Sequence, residues 1–386
     1  MPEMIKWGNT EYEVVEAPTR HICINALENK PEIKARWNTK ESVPPKSCTQ
    51  DVIHLVPYKN CTIDCSFCSL PRYRGFGLLN HKYHASVVFT DYSKYIDEEI
   101  AKTNFMHTVD FGADADVFMR LNDKYHETEK TMAVLNKWGI PFSVSTKGKF
   151  TDWSIDELAK NKYSWAQMSI ITNKESDRKK LIPGEEAATV ADMESNIDRL
   201  KARGIKVTAR VQPYIPYFST PLEELIPYLA DLGFDGIVFG MMRAPMSAGK
   251  SLLEKYGKIA GVDYSQFYTE KWPAYWQLDD KLTKEIVGKA RKLCDVEGLK
   301  FGLCDMYCRD KNGNGYSIQD EFGNACACEC VNAYGFTRKP NEKVFHKVDK
   351  CIGNCLKCTE VNTPCGNPQF ASSVKYTMKD YQKLLK

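Results

Sequence analysis

Apolar and polar positions along the middle of the chain follow two different periods. The segment "VADMESNIDRLKARG" (190–204) repeats apolar residues at intervals of three and four and ends at Gly204, which predicts an amphipathic helix with a glycine stop. Short apolar runs, such as "DVIHLVPY" (51–58) and "DGIVFGMM" (235–242), instead predict buried strands. The chain therefore mixes helices and strands.

These two patterns alternate along the chain from residue 51 to residue 304. The predicted strands are 51–58, 107–116, 141–148, 166–173, 205–214, 235–242 and 299–304. The predicted helices are 91–105, 124–139, 154–162, 190–204, 221–233 and 281–298. Such alternation predicts a parallel sheet with right-handed crossovers, and both a βα-barrel and an open doubly wound sheet fit it. Residues 1–50 are polar and proline-containing, and we expect an irregular extension packed on the main domain.

Composition narrows the class of protein only moderately. The 386 residues are 43% hydrophobic and 27% charged, as in a folded protein, and the net charge of +3 neither favours nor excludes nucleic acid. No apolar stretch approaches the roughly 20 residues of a membrane span. The first residues lack the charged-then-apolar pattern of a signal peptide, so we predict a cytoplasmic protein.

Fifteen cysteines add a specific chemistry. Cytoplasmic thiols stay reduced, so metal or redox chemistry is expected rather than disulfides. The stretch "CTIDCSFC" (61–68) carries three cysteines spaced by three and then two. A structural zinc site usually takes four ligands in two pairs, although a zinc loop is an alternative here. Three thiolates on one loop suit an iron–sulfur cluster with one iron left open for a small molecule.

This Cys-x₃-Cys-x₂-Cys loop after a first strand, with Phe67 before its third cysteine, resembles the radical SAM superfamily. The segments "PYKNCTIDCSFC", "VSTKG", "MSIITN" followed by "LIP", and "GIKVTARVQPYIP" are similar to the spore photoproduct lyase branch, which acts on thymine photoproducts in DNA. The resemblance implies an α/β fold, a partial (βα)₆ TIM-like barrel of the radical SAM type at 51–300. An N-terminal extension (1–50) would precede it, and a cysteine-rich auxiliary-metal domain (301–386) would follow.

The resemblance also implies a cofactor site at the carboxyl ends of the strands. Cys61, Cys65 and Cys68 would hold a [4Fe–4S] cluster that binds S-adenosyl-L-methionine (SAM). The residues expected to contact SAM are Phe67, Gly112, Ala113, Asp114, Lys147, Ser169, Arg210 and Val238. Arg210 is the candidate for the SAM carboxylate because a planar guanidinium binds carboxylates well. Alternatively, Asp114 or Asp116 would contact the substrate, or would only face solvent at the end of a strand.

Nine cysteines fall between residues 304 and 365. We expect auxiliary [4Fe–4S] clusters here, with zinc as the less favoured alternative. The predicted ligands are Cys304, Cys308 and two of Cys326, Cys328 and Cys330 for one site, and Cys351, Cys355, Cys358 and Cys365 for another.

The sequence thus predicts a radical SAM enzyme that cleaves SAM reductively to a 5′-deoxyadenosyl radical and abstracts hydrogen from its substrate. A nucleobase in DNA or RNA is the favoured substrate, and lyase, isomerase and transferase classes all stay open. A reductant such as flavodoxin or ferredoxin is the expected partner. A peptide- or small-molecule-modifying enzyme and a non-enzymatic nucleic-acid-binding metalloprotein are the alternatives. The aromatic run at 263–278 would stack bases or pack as a loop, and the basic residues 178–180 would contact phosphates or solvent.

Overall fold

The structure is a computed structural model that describes most of the chain between residues 3 and 353. The described residues are 3–7, 10–19, 53–68, 79, 83–112, 115–246, 249–273, 275–304, 306–322 and 334–353. The strands are β1 Glu3–Trp7, β2 Thr10–Ala17, β3 Ile53–Leu55, β4 Tyr58–Lys59, β5 Ala85–Phe89, β6 Phe105–His107, β7 Val109–Phe111, β8 Phe142–Thr146, β9 Trp165–Ser169, β10 Lys206–Tyr214, β11 Gly236–Met241, β12 Ala244–Pro245, β13 Glu270–Lys271, β14 Tyr275–Gln277, β15 Lys300–Leu303, β16 Tyr307–Arg309, β17 Gly315–Ser317, β18 Gly335–Thr337 and β19 His346–Lys347. The helices are α1 Tyr92–Ile100, α2 Arg120–Tyr125, α3 Glu127–Trp138, α4 Asp152–Ala159, α5 Glu175–Leu181, α6 Val190–Ala202, α7 Leu222–Asp231, α8 Gly249–Ala260, α9 Asp280–Val296 and α10 Gln319–Phe322.

A seven-stranded sheet, in which every neighbouring pair is parallel, forms the centre of the fold. Its order is β3-β7-β8-β9-β10-β11-β15. Counting only the strands of this sheet, each one lies beside the strand that follows it along the chain. A doubly wound sheet would reverse direction at a switch point, and this order does not. The predicted α/β fold with a parallel sheet is therefore confirmed, and its strand order is that of a βα-barrel, whose closure stays a prediction.

The two faces of this sheet differ in polarity. Leu55, Phe111, Val144, Ala209 and Ile237 are fully buried on the face that helices cover. On that side α6 packs on β10, and α9 packs on β11 and β15. The other face carries polar side chains and forms the candidate site described below.

The clearest helix in the sequence has the ends that its residues predict. Thr189 caps α6 with a reciprocal pair of hydrogen bonds to Asp192, and Gly204 takes the left-handed φ of +69° after the helix.

None of the helices in the described part of the chain combines the length and the apolar character that a membrane span needs.

Smaller sheets flank the central one. β1 and β2 join β5 and β4 in a four-stranded sheet, so the prediction of an irregular start was wrong for residues 3–7 and 10–17. β2 pairs in parallel with the distant β5, a long-range contact that local sequence does not encode. β18 pairs with β6, which fixes part of the cysteine-rich region against the main body, and β15 spans the predicted domain boundary at residue 300.

We predict that Gly112, which follows β7, cannot carry a side chain. Its φ is +108°, and an added Cβ would lie 2.2 Å from the Ser145 carbonyl oxygen. Gly112→Ala should lower the free energy of unfolding by roughly 2–4 kcal/mol, measured by urea denaturation. Gly204→Ala is the control, because Gly204 also has a positive φ but open space around its Cβ position, and it should cost about 1 kcal/mol. Equal losses would show that the contact with β8 is unimportant.

Candidate metal and cofactor site

The loop from Cys61 to Cys68 lies just after β3 and β4, at the carboxyl end of the first strand of the central sheet. Active sites of βα folds lie at this edge. Cys61, Cys65 and Cys68 are all half-buried and free of disulfides, and the Cys68 amide donates to the Cys65 carbonyl at 2.9 Å. The three predicted cluster ligands therefore share one tight loop at the expected place.

Ser66, between the second and third cysteines, anchors the loop to two helices. Its amide and its hydroxyl both donate to the Leu181 carbonyl at the end of α5, at 2.9 and 2.8 Å. The Ser66 hydroxyl also lies 2.7 Å from the hydroxyl of Tyr256, a fully buried residue of α8. Because the single Ser66 hydroxyl proton goes to Leu181, the Tyr256 hydroxyl must donate to Ser66 Oγ.

A second anchor holds the first half of the loop. The Thr62 hydroxyl donates to the Glu186 carboxylate, which also accepts from the Arg120 amide at 3.0 Å. Gly184 lies so close that a Cβ there would be 2.5 Å from the Ile63 carbonyl oxygen. The segment around residues 184–186 therefore fixes the path of the loop between Cys61 and Cys65.

Asp116 is a third anchor and contacts a cysteine sulfur directly. Its backbone N–H donates to Cys61 Sγ at 3.3 Å. Its carboxylate accepts from the Thr146 hydroxyl at 2.7 Å and from the Lys147 amide at 2.6 Å. Asp116 thus links the loop after β7 to the end of β8 and orients Cys61. N–H···S hydrogen bonds of this kind tune the potential of a cluster.

The electrostatics of the loop favour a cationic occupant. Burial, with the nearby Asp116 carboxylate and Cys65, raises the pKa of the Cys61 thiol well above its usual range. Burial raises the pKa of Cys65 to about 12, although the Lys147 ammonium opposes that shift. When these thiols lose their protons to bind a metal, their negative charges need a compensating positive charge, which the core of an iron–sulfur cluster would supply.

The donor set fits a cluster better than a single ion. A structural zinc site takes four ligands, usually as two pairs, whereas this loop offers three thiolates. In a cubane each thiolate binds a separate iron, so the three sulfurs stand farther apart. The residues present therefore fit the [4Fe–4S] cluster that the sequence predicts.

The polar face of the central sheet lies beside this loop. Residues paired in a parallel ladder share a face, and the ladders align Ser145 with Gln167 and Ser169 with Arg210. Arg210 donates to Gln167 Oε1 at 3.1 Å and to Cys304 Sγ at 3.4 Å. Gln167 is fully buried, and its Nε2 has no hydrogen-bond partner among the described residues. This face thus presents amide, hydroxyl, thiol and guanidinium groups together.

Four of the predicted SAM-contacting residues, Phe67, Lys147, Ser169 and Arg210, lie on this loop and face or directly beside them, and their role stays a prediction. Ser169 on β9 and Val238 on β11 are buried, and both are the strand-pairing partners of Arg210 on β10, which lies between them. Phe67 is half-buried against the core, and Lys147 follows β8 beside the cysteine loop. Predicted residues that lie outside the described part of the chain are Ala113, Asp114, Cys326, Cys328, Cys330, Cys355, Cys358 and Cys365.

The described cysteines of the tail lie in three different surroundings. Cys304 follows β15 beside Arg210, whereas Cys308 of β16 is buried with its sulfur 4.0 Å from the Asp280 carbonyl oxygen. Cys351 Sγ accepts from the Gly335 amide at 3.3 Å. Their predicted role as auxiliary ligands stays a prediction, and the structure adds that Cys304 lies next to the candidate SAM site.

Sequence reasoning missed the residues that hold the loop: Ser66, Thr62, Tyr256 and Glu186. Their partners are distant in sequence, so no local pattern identifies them. Among the residues considered for phosphate contacts, Arg178 is buried and binds Glu175 at 2.8 and 2.7 Å, which removes it as a candidate.

Comparison with known proteins identifies the class of protein that this chain resembles. No family model matches the chain. A curated relative, the radical SAM Nα-GlyT isomerase of Pseudomonas phage M6, is 26% identical in an alignment of 386 positions that covers 95% of this chain and 78% of the relative. The resemblance to radical SAM enzymes and the prediction of an enzyme are thereby confirmed.

The solved structures that align with this chain are more distant in sequence. Spore photoproduct lyase complexed with dinucleoside spore photoproduct is 14% identical, with a TM-score of 0.49 over 75% of this chain and 81% of the lyase. Streptococcus suis SuiB bound to S-adenosylmethionine is 11% identical, with a TM-score of 0.42 over 72% of this chain and 56% of SuiB.

We predict that the Tyr256 hydroxyl stabilises the cysteine loop. Tyr256→Phe removes one buried hydrogen bond, worth about 1 kcal/mol, and keeps the ring. The reconstituted variant should lose iron to a chelator roughly fivefold faster than the wild type, measured by absorbance.

Tyr268→Phe is the matched control, because the Tyr268 hydroxyl is also buried but has no hydrogen-bond partner in the described residues. It should lose iron at the wild-type rate. Equal rates in all three proteins would rule out a role for Tyr256 in holding the loop.

Proposed function

We propose that this protein is a radical SAM enzyme that modifies or repairs a nucleobase in DNA or RNA. The observation that carries the proposal is the Cys61–Cys68 loop, anchored at the carboxyl edge of a parallel sheet beside a polar face that contains Arg210. The phage relative supports the radical SAM chemistry over nearly the whole chain.

Cys61, Cys65 and Cys68 would hold the cluster, and Arg210 would bind the SAM carboxylate through its guanidinium. When bound, the cluster and SAM would supply a primary carbon radical able to remove a hydrogen atom from an unactivated carbon. The Asp116 amide orients Cys61, and Lys147 adds positive charge beside Cys65. The helix-covered opposite face keeps water from the back of the site.

The polar face supports a nucleobase as substrate. Gln167 Nε2 is a buried donor without a partner among the described residues, and Ser145, Ser169 and Thr208 stand beside it on the same face. Amide and hydroxyl groups are what proteins use to read the edge of a base. The sequence resemblance to the spore photoproduct lyase branch supports the same substrate class.

A second candidate is an isomerase acting on a small or peptide-like substrate. The phage relative is named as an isomerase, which favours a rearrangement over a bond-breaking repair. In a rearrangement the hydrogen atom removed from the substrate is returned to it, so the substrate shows no net oxidation.

Two further components belong to the proposal. A one-electron donor such as flavodoxin or ferredoxin would reduce the cluster. The tail cysteines, including Cys351, would hold auxiliary clusters that relay electrons or stabilise the tail.

Replacing Cys61, Cys65 and Cys68 together by alanine should abolish formation of 5′-deoxyadenosine from SAM and dithionite under anaerobic conditions. The protein should also bind less iron, because three thiolate ligands are gone. Liquid chromatography measures the nucleoside, and a colorimetric assay measures the iron.

Cys294→Ala is the control for this experiment, because Cys294 is buried in α9 away from the loop. It should leave iron content and SAM cleavage unchanged. Turnover that survives in the triple variant would refute the assignment of the loop.

Oligonucleotide binding separates the two substrate classes. An enzyme that acts on nucleic acid should bind single-stranded oligonucleotides with an affinity that falls as salt rises, with a log–log slope of about −0.7 per phosphate contact. Fluorescence anisotropy across a salt series measures that slope. An absence of binding at low salt would favour the small-molecule candidate.

A further inference from the structure

Tyr217 is an exposed aromatic residue with a strained backbone. It lies in the loop between β10 and α7, where residues 215, 216 and 218–220 are all buried, yet 58% of Tyr217 is exposed. Its φ is +64°, in the left-handed region that favours glycine. An aromatic residue there costs roughly 1–3 kcal/mol, so its ring is not explained by stability.

The loop is braced in this strained form. The Ile215 amide donates to Ser219 Oγ at 3.0 Å, and the Ser219 amide donates back to the Ile215 carbonyl at 2.8 Å. The Tyr264 hydroxyl donates to the Pro216 carbonyl next to Tyr217. The Tyr217 ring packs on Phe267 with 5.2 Å between centroids. The ring is therefore held in place with most of its surface open to solvent.

The loop that carries Tyr217 follows the carboxyl end of β10, at the same edge of the sheet as the cysteine loop. The neighbouring Phe218 packs edge-on against Tyr256, with 5.7 Å between ring centroids. Tyr256 in turn bonds to Ser66, between Cys65 and Cys68. β10, which leads into the Tyr217 loop, also carries Arg210 on the polar face. Phe218, the residue next to Tyr217, is thus connected to the cysteine loop by two successive contacts.

Four of the six aromatic residues in the run at 263–278 are occupied within the protein. Trp272 and Tyr275 stack on each other, and Arg309 and Arg243 cover their outer faces. Tyr264 and Tyr268 are buried. Base stacking, which the sequence suggested for this run, is therefore not available to these four rings.

We propose that Tyr217, backed by Phe267, is the platform on which a nucleobase stacks at the mouth of the site. The base is that of the substrate or of a neighbouring nucleotide. The inference rests on the proposed function, because it names the contact through which a nucleic-acid substrate would be held. A flat ring fixed in the open is the group that binds bases of any sequence.

The test measures binding of a fluorescein-labelled single-stranded oligothymidylate by anisotropy. Tyr217→Gly removes the ring and suits the left-handed backbone, so its melting temperature should equal or exceed that of the wild type. Its affinity should fall about 5- to 100-fold, whereas Tyr217→Phe should stay within about twofold of the wild type.

His126→Gly is the control. His126 lies between α2 and α3, also has a left-handed φ of +55°, and packs its ring on Trp153. It should bind the probe as the wild type does. Wild-type affinity in Tyr217→Gly, or an equal loss in Tyr217→Phe, would overturn the platform and leave the proposed function standing. A wild-type protein that does not bind the probe would overturn both.

Discussion

Hydrogen bonds from outside the cysteine loop determine the shape of the candidate site. Ser66 is bound by the end of α5 and by Tyr256, Thr62 by Glu186, and Cys61 by the Asp116 amide. Three cysteines on a free loop would sample many arrangements, and ordering them would cost conformational entropy on metal binding. These hydrogen bonds order the loop when the chain folds. Less conformational entropy is therefore lost when a cluster binds at the edge of the sheet.

The division of the central sheet into an apolar and a polar face surrounds this loop with polar groups on one side. Parallel sheets covered on both faces are apolar on both, and here only the helix-covered face is. Arg210, Gln167 and Cys304 meet on the other face within hydrogen-bonding distance. SAM and its substrate would thus lie between the loop and a set of directional polar groups, with Tyr217 at the rim.

Much of this arrangement could be predicted from local sequence. The predictable part follows from local patterns, and the rest depends on contacts between residues that are far apart in the sequence. The spacing of Cys61, Cys65 and Cys68 and the alternation of strands and helices are local patterns, so they identified the loop and the sheet. The alternating polar residues in "FSVST" and "VTARVQ" are also a local pattern, and the polar face they indicate was missed. The partners of Ser66 and the pairing of β2 with β5 depend on long-range packing, which no local pattern encodes.

The proposed radical SAM chemistry depends most on one iron that has no protein ligand and is open to SAM. Electron–nuclear double resonance on the reduced protein, with SAM labelled at its carboxylate and amino groups, tests this directly. We predict a coupling between the labels and a single iron, lost when Cys61, Cys65 and Cys68 are replaced. Absence of that coupling, with Mössbauer spectra in which every iron has a protein ligand, would contradict the account.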